Sequence, residues 1–439
     1  MVRNAPCTLL AAALLTSAVH AQDIDAAFQK FWSADSPAAA ARAASDIEKT
    51  KVTFEEARKR LKAGRVYNPQ TAGAVQGKNR TSDNIEHFYS VNIPANYDPA
   101  KRYQVRFQLH GGVGGRTDNQ PRGNGQIGQM AGNDEQIYVL PYAWDTAGWW
   151  SDDQVLNLAA IVDSLKRTYN IDENRVVVSG VSDGGTGAYF IAMRDTTPYA
   201  SFLPLNGFIM VLGNGEIDDG NVFPGNLRNK PLFLINGGKD RLYPISVVEP
   251  YTRYFMRNGV DMEYHPQPDG EHNTRWWPEM KDPFEKFVTA HPRDPHPDTL
   301  TWETAGTRNN RAHWLVIDEV KALPKESAPF KDLNIISSTD ALYDATGSTM
   351  FSRGNNSGRV DVTRKGNTVE ALTKGVAAFT LLLSPDEFDF AQPVKVIANG
   401  REVFNAKVQP DVKTLLKWAA RDNDRTMLYG AEIKITLNR

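Results

Sequence analysis

The chain has 439 residues, of which 41% are apolar and 23% charged, with a formal net charge of −2. It is long enough for two domains, or one large domain with additions, and apolar enough to bury a sizeable core. The near-neutral balance leaves no basic footprint for nucleic acid and no acidic tail, so nucleic acid is excluded as an expected partner.

Residues 1–21 read as a secretory signal. Arg3 is the charged start, Leu9 to Leu15 is a short apolar run, and Val19-His20-Ala21 is a small-residue cleavage site that places the mature start near Gln22. The run is too short to cross a bilayer, so an exported protein without a membrane span is expected, periplasmic or extracellular. The single cysteine, Cys7, lies ahead of that run. It is not placed like a lipid-attachment cysteine, and the exported chain is expected to have no disulfide.

Residues 22–84 read as a helical arm followed by a loop. Ala-rich stretches with Phe28, Phe31 and Trp32 predict one amphipathic helix, and Thr53-Phe54-Glu55-Glu56 fits a capping box for a second that stops at Gly64. The arm is expected to pack on the core, with a lid over the site as the other reading. Residues 66–85 are polar and Gly-rich and read as loop.

From residue 85 to 292 strand-like and helix-like segments alternate, the pattern of a mostly parallel sheet covered on both faces. Tyr103 to Leu109 reads as a strand running into His110-Gly111-Gly112-Val113-Gly114-Gly115, and the Gly114 to Gly132 loop is expected to shape a pocket. Asp153 to Tyr169 is an apolar-periodic helix. Arg175 to Ser179 then leads into Gly180-Val181-Ser182-Asp183-Gly184-Gly185. A buried strand, Gly-x-Ser-x-Gly and a small-residue helix start together form the nucleophile-elbow pattern, in which a sharp turn exposes one serine. The following helix aims its N-terminus at the place where an oxyanion forms.

Lys230 to Gly238 reads as a buried strand with Asp240 just past its end. Alone, Asp240 reads equally as a turn or cap residue. Its place between Ser182 and a suitable histidine makes it the acid. Met262 to Pro268 is a strand and Asp269-Gly270-Glu271-His272-Asn273 a loop before the next helix. His272, on that loop, is free to reach a serine, whereas His265 lies within the strand and reads as structural. His110 precedes the serine and reads as a loop brace. The order Ser182, Asp240, His272 is the order in which this triad occurs when the elbow is present. The backbone N–H of Asp183, with that of Gly112 or Val113, is expected to form the oxyanion hole; Val113 stands where a third glycine often does.

At these motifs, together with Val91 to Pro99 and Tyr169 to Val176, the chain resembles the α/β-hydrolase superfamily. More narrowly it resembles secreted esterases of the polyhydroxybutyrate-depolymerase-like group, with likeness to feruloyl and acetylxylan esterases and to the prolyl-oligopeptidase catalytic domain. The resemblance spans about residues 85–292. It implies an α/β fold with a doubly wound, mostly parallel sheet, a Ser-His-Asp serine esterase mechanism, a small-molecule or polymeric ester as partner, and no metal or organic cofactor. A serine peptidase and a non-catalytic polymer-binding protein on the same fold are the alternatives.

Residues 293–439 read as a linker and a small β-rich accessory module. The Pro-rich His291 to Asp298 segment reads as a rigid extended linker rather than a metal site. Strands are predicted at His313 to Asp318, around Lys365-Gly366-Asn367 and at Ala431 to Leu437, a hairpin turning at Asn399-Gly400, and a helix over Asp411 to Arg421. Among the tryptophans, Trp149 and Trp276 are the candidate substrate-binding residues, as aromatic walls suited to rings or acyl chains.

Overall fold

The computed structural model describes residues 22–82, 84–118, 130, 135–321, 351 and 356–437. The signal expected at 1–21 and most of the Gly114 to Gly132 loop lie outside the described residues.

Eight strands form one sheet in the order β1-β2-β4-β3-β5-β6-β7-β8. Their ranges are β1 Gly73–Arg80, β2 Glu86–Ile93, β3 Tyr103–Leu109, β4 Ile137–Pro141, β5 Ile171–Val181, β6 Ser201–Leu205, β7 Leu232–Gly237 and β8 Met262–Gln267. β1, β2 and β4 pair antiparallel, and every neighbouring pair from β4 through β3 to β8 is parallel. Alternation along the central strands sorts side chains to two faces. Val176, Val178, Phe202, Leu232 and Leu234 join a core with helices α4 (Asp152–Thr168), α5 (Asp183–Arg194) and α6 (Ile245–Arg257). Val177, Leu203, Leu205, Phe233 and Ile235 pack instead with Trp277, Phe284 and Phe287 of α7 (Trp277–Ala290). Strands buried on both faces read as unbroken apolar runs, which is why Val176-Val177-Val178 and Leu232 to Ile235 stood out. The chain leaves β3 for β4 on one side and returns to β5 on the other, so a topological switch point lies between the ends of β3 and β5. Ligands gather at such crevices in open α/β sheets.

Two expectations are corrected here. Within the predicted 66–85 loop, β1 pairs along its whole length with β2. It is an exposed polar edge strand, so no apolar alternation marks it, and the backbone ladder alone decides its form. The arm holds three helices among the described residues: residues 22–32 (α1), Pro37–Lys49 (α2) and Phe54–Ala63 (α3). Ser36 starts α2 by accepting the Ala39 N–H, with Pro37 in the first turn. Thr53 caps α3 in the same way.

The apolar side of this arm is covered by the C-terminal helix α8 (Val412–Asp422): Phe28, Phe31, Ile47 and Leu61 cluster with Leu415, Leu416 and Ala419. The arm also meets α4 as expected, through Arg167 on the Ala34 carbonyl (2.7 Å) and Arg65 on the Arg167 carbonyl (3.2 Å), but its apolar face is spent on α8, which argues against the lid reading.

The rest of the C-terminal part is two sheets packed on a shared core. One holds β10 (Arg311–Ala312), β11 (Leu315–Val320), β14 (Val376–Leu383) and β17 (Ala431–Thr436). The other holds β9 (Thr299–Thr304), β12 (Gly358–Lys365), β13 (Thr368–Lys374), β15 (Val394–Ala398) and β16 (Arg401–Ala406). Trp302, Trp314, Phe379 and Leu381 lie between them. β15 and β16 turn at Asn399-Gly400, both at positive φ, the geometry that this dipeptide favours in a two-residue hairpin.

The predicted linker is no free spacer. Arg293 is buried and donates to Asn174 of β5 (2.8 Å) and to Asp424 (2.8 Å). Lys166 of α4 also reaches Asp424 (3.1 Å), and Arg425 pairs with Glu173 (3.0 Å). His291 turns back onto its own helix, donating to the Phe287 carbonyl, and His296 stacks edge-on against Tyr429. The polar residues that looked like a spacer are the joint between the sheet and the C-terminal part.

This joint predicts an acid-sensitive stability. Burial lowers His296 from 6.5 to about 4 and pushes the buried His313 in the same direction. The unfolded chain binds these protons near pH 6.5 and the folded chain does not, so stability falls as pH drops across that window. Asp195, raised by burial to about 6, acts oppositely, its share being lost as pH rises from about 3.8 to 6. His110, also lowered by burial to about 4, adds to the two, and three histidines against one carboxylate leave a net loss toward acid. The urea midpoint is expected to be lower at pH 5 than at pH 7, with a smaller difference in His296→Phe; an equal or higher midpoint at pH 5 would contradict this.

Candidate active site

Ser182 sits between β5 and α5 at φ 57° and ψ −121°, a conformation that strains any side-chain-bearing residue. The turn closes because its flanking glycines leave room. A Cβ on Gly180 would lie 2.0 Å from the Gly184 carbonyl oxygen, and one on Gly184 would lie 2.1 Å from that of Leu109. The Ser182 N–H donates to the Leu205 carbonyl (2.9 Å), tying the turn to the end of β6.

Asp240 follows β7 and is buried. One carboxylate oxygen accepts the backbone N–H groups of Leu242 (2.8 Å) and Tyr243 (3.0 Å); the other faces His272 Nδ1 at 2.6 Å. His272 Nε2 lies 2.8 Å from Ser182 Oγ. A carboxylate only accepts, so the ring proton is on Nδ1 and Nε2 is free to take the serine proton. Close backbone approach brings the two loops together: the Lys239 N–H donates to the Gly270 carbonyl (2.9 Å), and a Cβ on Gly237 would lie 2.3 Å from that same oxygen. Asn206, at positive φ after β6, donates its side-chain amide to the Asn273 carbonyl (2.8 Å) and steadies the His272 loop.

Beyond β3, Gly111 packs directly on the serine, where an added Cβ would meet Ser182 Cβ at 2.9 Å. Gly112 adopts the left-handed conformation at φ 66°. The Val113 N–H donates to the Asp183 carboxylate (2.7 Å) and is therefore already engaged. This corrects the choice left open between Gly112 and Val113. Among the described residues the N–H of Gly112 carries no acceptor, and the N–H of Asp183 belongs to the first turn of α5, which has no intrahelical partner. His110 braces the loop. Its Nδ1–H donates to the Gly111 carbonyl (3.0 Å), its Nε2 accepts the Ala143 N–H (3.1 Å), and burial lowers its pKa to about 4, so it stays neutral.

The two candidate tryptophans are not pocket walls. Trp149 is fully buried, donates its indole N–H to the His110 carbonyl (2.8 Å), and sits over Gly187, where a Cβ would collide at 2.3 Å. Trp276 is 6% exposed and packs into the core beneath α7. Residues that do flank the triad were missed. The Tyr243 ring lies 5.7 Å from that of His272, and Phe208 lies 5.9 Å from Tyr243; both are half-buried, beside an exposed Leu242. The signal was the acid itself: the turn that Asp240 holds through the Leu242 and Tyr243 N–H groups brings the Tyr243 ring against His272.

A strained serine at the end of a central parallel strand, within reach of a histidine and a buried aspartate that follow later strands, decides the architecture. The fold is that of an α/β-hydrolase. No family model matches the chain. In sequence it is similar to esterases. It is 27% identical over 178 residues to the probable feruloyl esterase C of Aspergillus terreus, covering 39% of this chain and 62% of that one. It is 26% identical over 213 residues to the bifunctional acetylxylan esterase/xylanase XynS20E of Neocallimastix patriciarum, covering 46% and 28%. The chain thus spans less than two thirds of the length of the curated relatives it matches. Among solved structures, esterase 2 of Thermogutta terrifontis aligns over 51% of this chain and 96% of its own at 16% identity and a TM-score of 0.40. No described helix is long and apolar enough to cross a membrane.

Proposed function

We propose that this α/β-hydrolase is an exported serine carboxylic-ester hydrolase. The observation that carries the reading is the unbroken relay Asp240–His272–Ser182, with both hydrogen bonds under 3 Å and the serine on a strained turn. In the proposed reaction His272 Nε2 takes the Ser182 proton as Oγ attacks the acyl carbonyl. The N–H groups of Asp183 and Gly112 hold the oxyanion. His272 then gives the proton to the leaving alkoxide, and water resolves the acyl-enzyme by the same steps in reverse. Asp240 keeps the imidazole in the productive tautomer and stabilises the imidazolium.

The naming of both sequence relatives as esterases supports an ester over a peptide. The Tyr243 ring beside His272, with Phe208 against it, suits an acyl chain or ring. The leader-like residues 1–21 support export.

The test is a substrate panel on the full chain: p-nitrophenyl acetate, butyrate and octanoate, methyl ferulate, and aminoacyl-nitroanilides, with fluorophosphonate labelling in parallel. Ester turnover with labelling at Ser182 is expected. Turnover of the nitroanilides alone would make it a peptidase, and absence of both turnover and label would leave only a binding role.

A further inference from the structure

The Asp183 carboxylate has no part in the relay just described, yet it sits next to the serine in sequence and accepts the Val113 N–H from the loop beyond β3. We infer that it is a positioning residue, a latch that holds the second half of the oxyanion hole in register with the first. The inference rests on the serine-hydrolase reading above.

An oxyanion hole works when two donors are held at hydrogen-bond distance from one point before the charge develops. Here the two come from unlike supports. The Asp183 N–H rides on the first turn of α5, a rigid element. The Gly112 N–H belongs to Gly111-Gly112-Val113-Gly114-Gly115, a run whose glycines leave the backbone many alternative conformations. On one side the loop is braced by His110 and by the Trp149 indole on the His110 carbonyl. On the other side α5 ties the loop through the Asp183 carboxylate, which accepts the Val113 N–H at 2.7 Å. A charge-assisted bond of that length is among the stronger single ties available to a loop.

Its placement explains which N–H is left for the substrate. The peptide plane between Gly112 and Val113 has a donor on one edge and a carbonyl on the other. With the donor fixed on Asp183, rotation of that plane is restrained, and with it the path of the chain out of Gly112, which sits at φ 66° and whose own N–H, on the preceding plane, carries no acceptor among the described residues. One residue thus serves both halves of the hole: its backbone as donor, its side chain as the anchor of the other donor. Val113, which stands where a third glycine is common in this loop, fits the same account, because its buried side chain pins the peptide that the carboxylate grips.

The experiment compares wild type, Asp183→Ala and Asp183→Asn on p-nitrophenyl butyrate and in binding a trifluoromethyl ketone, which mimics the tetrahedral intermediate. Asparagine keeps the acceptor oxygen and removes the charge. Asp183→Ala is expected to lower kcat by about a hundredfold, close to the loss of one oxyanion donor, with KM within about twofold and ketone affinity falling in parallel with kcat/KM. Asp183→Asn is expected to recover at least about tenfold of that loss. Amide hydrogen exchange at Val113 reads the latch without turnover: protected in wild type and Asp183→Asn, fast in Asp183→Ala. The latch is wrong if Asp183→Ala keeps kcat within twofold, if Asp183→Asn is as slow as Asp183→Ala, or if Val113 exchange is unchanged by alanine. Failure of the hydrolase reading looks different: wild type itself then turns over no ester and takes no fluorophosphonate, while the exchange comparison still decides whether the tie exists.

Discussion

Ser182→Ala is expected to lower kcat on p-nitrophenyl butyrate by about a hundred-thousand-fold or more, with KM little changed and fluorophosphonate labelling abolished. The size follows from what the hydroxyl does. Removing it deletes the attacking atom and also leaves His272 Nε2, now 2.8 Å from nothing reactive, without a proton to take. When residues act as a unit, loss of the nucleophile alone costs nearly as much as loss of the whole relay, about a million-fold in the best-studied serine hydrolase. Substrate contacts are untouched, so the loss belongs in kcat. Asp240→Asn should cost less, about ten-thousand-fold, since it leaves serine and histidine in place but favours the wrong ring tautomer. Steady-state rates on the three proteins check both values. A Ser182→Ala protein that kept a few per cent of the wild-type rate would remove Ser182 as the nucleophile.

Asp424→Ala is expected to destabilise the folded chain by about 3–5 kcal/mol, the usual result of removing one partner from a buried charged group. Asp424 is buried and receives Arg293 at 2.8 Å and Lys166 at 3.1 Å; the Arg293 side chain is itself fully buried. These two cations hold the Asp424 carboxyl well below the usual carboxylate range despite its burial. Alanine leaves both cations in a low-dielectric joint with neutral acceptors only, the Asp422 carbonyl for Lys166 (3.1 Å) and Asn174, the Thr197 carbonyl and Thr426 for Arg293 (2.8, 3.1 and 2.9 Å). The double variant Asp424→Leu with Arg293→Met should recover much of the loss, because replacing a buried pair with apolar groups costs far less than breaking it. Urea midpoints at pH 7 measure both. A single variant within about 1 kcal/mol of wild type would show that the joint does not depend on this pair. A carboxylate with depressed pKa supports the fold above its ordinary value and ceases to as pH falls below it, so the gap between wild type and Asp424→Ala should narrow in strong acid.

Much of the hydrolase sheet was legible because its central strands are buried on both faces. Val176 to Val178 and Leu232 to Ile235 are unbroken apolar runs closed by glycines, and that signal survives without any knowledge of neighbours. β1 was not legible, since an exposed edge strand needs only backbone partners and its side chains are free to be polar. The tryptophans misled for a related reason. An indole suits a pocket wall and a core equally, and Trp149 is buried because Gly187, far along the chain, leaves a space for it. The 291–298 segment reads as a spacer by its prolines, yet Arg293 finds its partners at Asn174 and Asp424. No local pattern encodes a contact between residues more than a hundred apart in sequence.

By itself the sequence determined the local chemistry of this protein: which serine can occupy a strained turn, which aspartate and histidine follow later strand ends, and where α3 is capped. Those features depend on a few adjacent residues whose backbone preferences and side-chain acceptors act at short range. Only the tertiary structure decided the relations between them. It brought Ser182 and His272, ninety residues apart, within one hydrogen bond, packed Gly111 on the serine, engaged the Val113 N–H with Asp183, and covered the N-terminal arm with α8. Hydrogen bonds act over about 3 Å and apolar packing over little more, so which groups meet is set by the folded path of the whole chain.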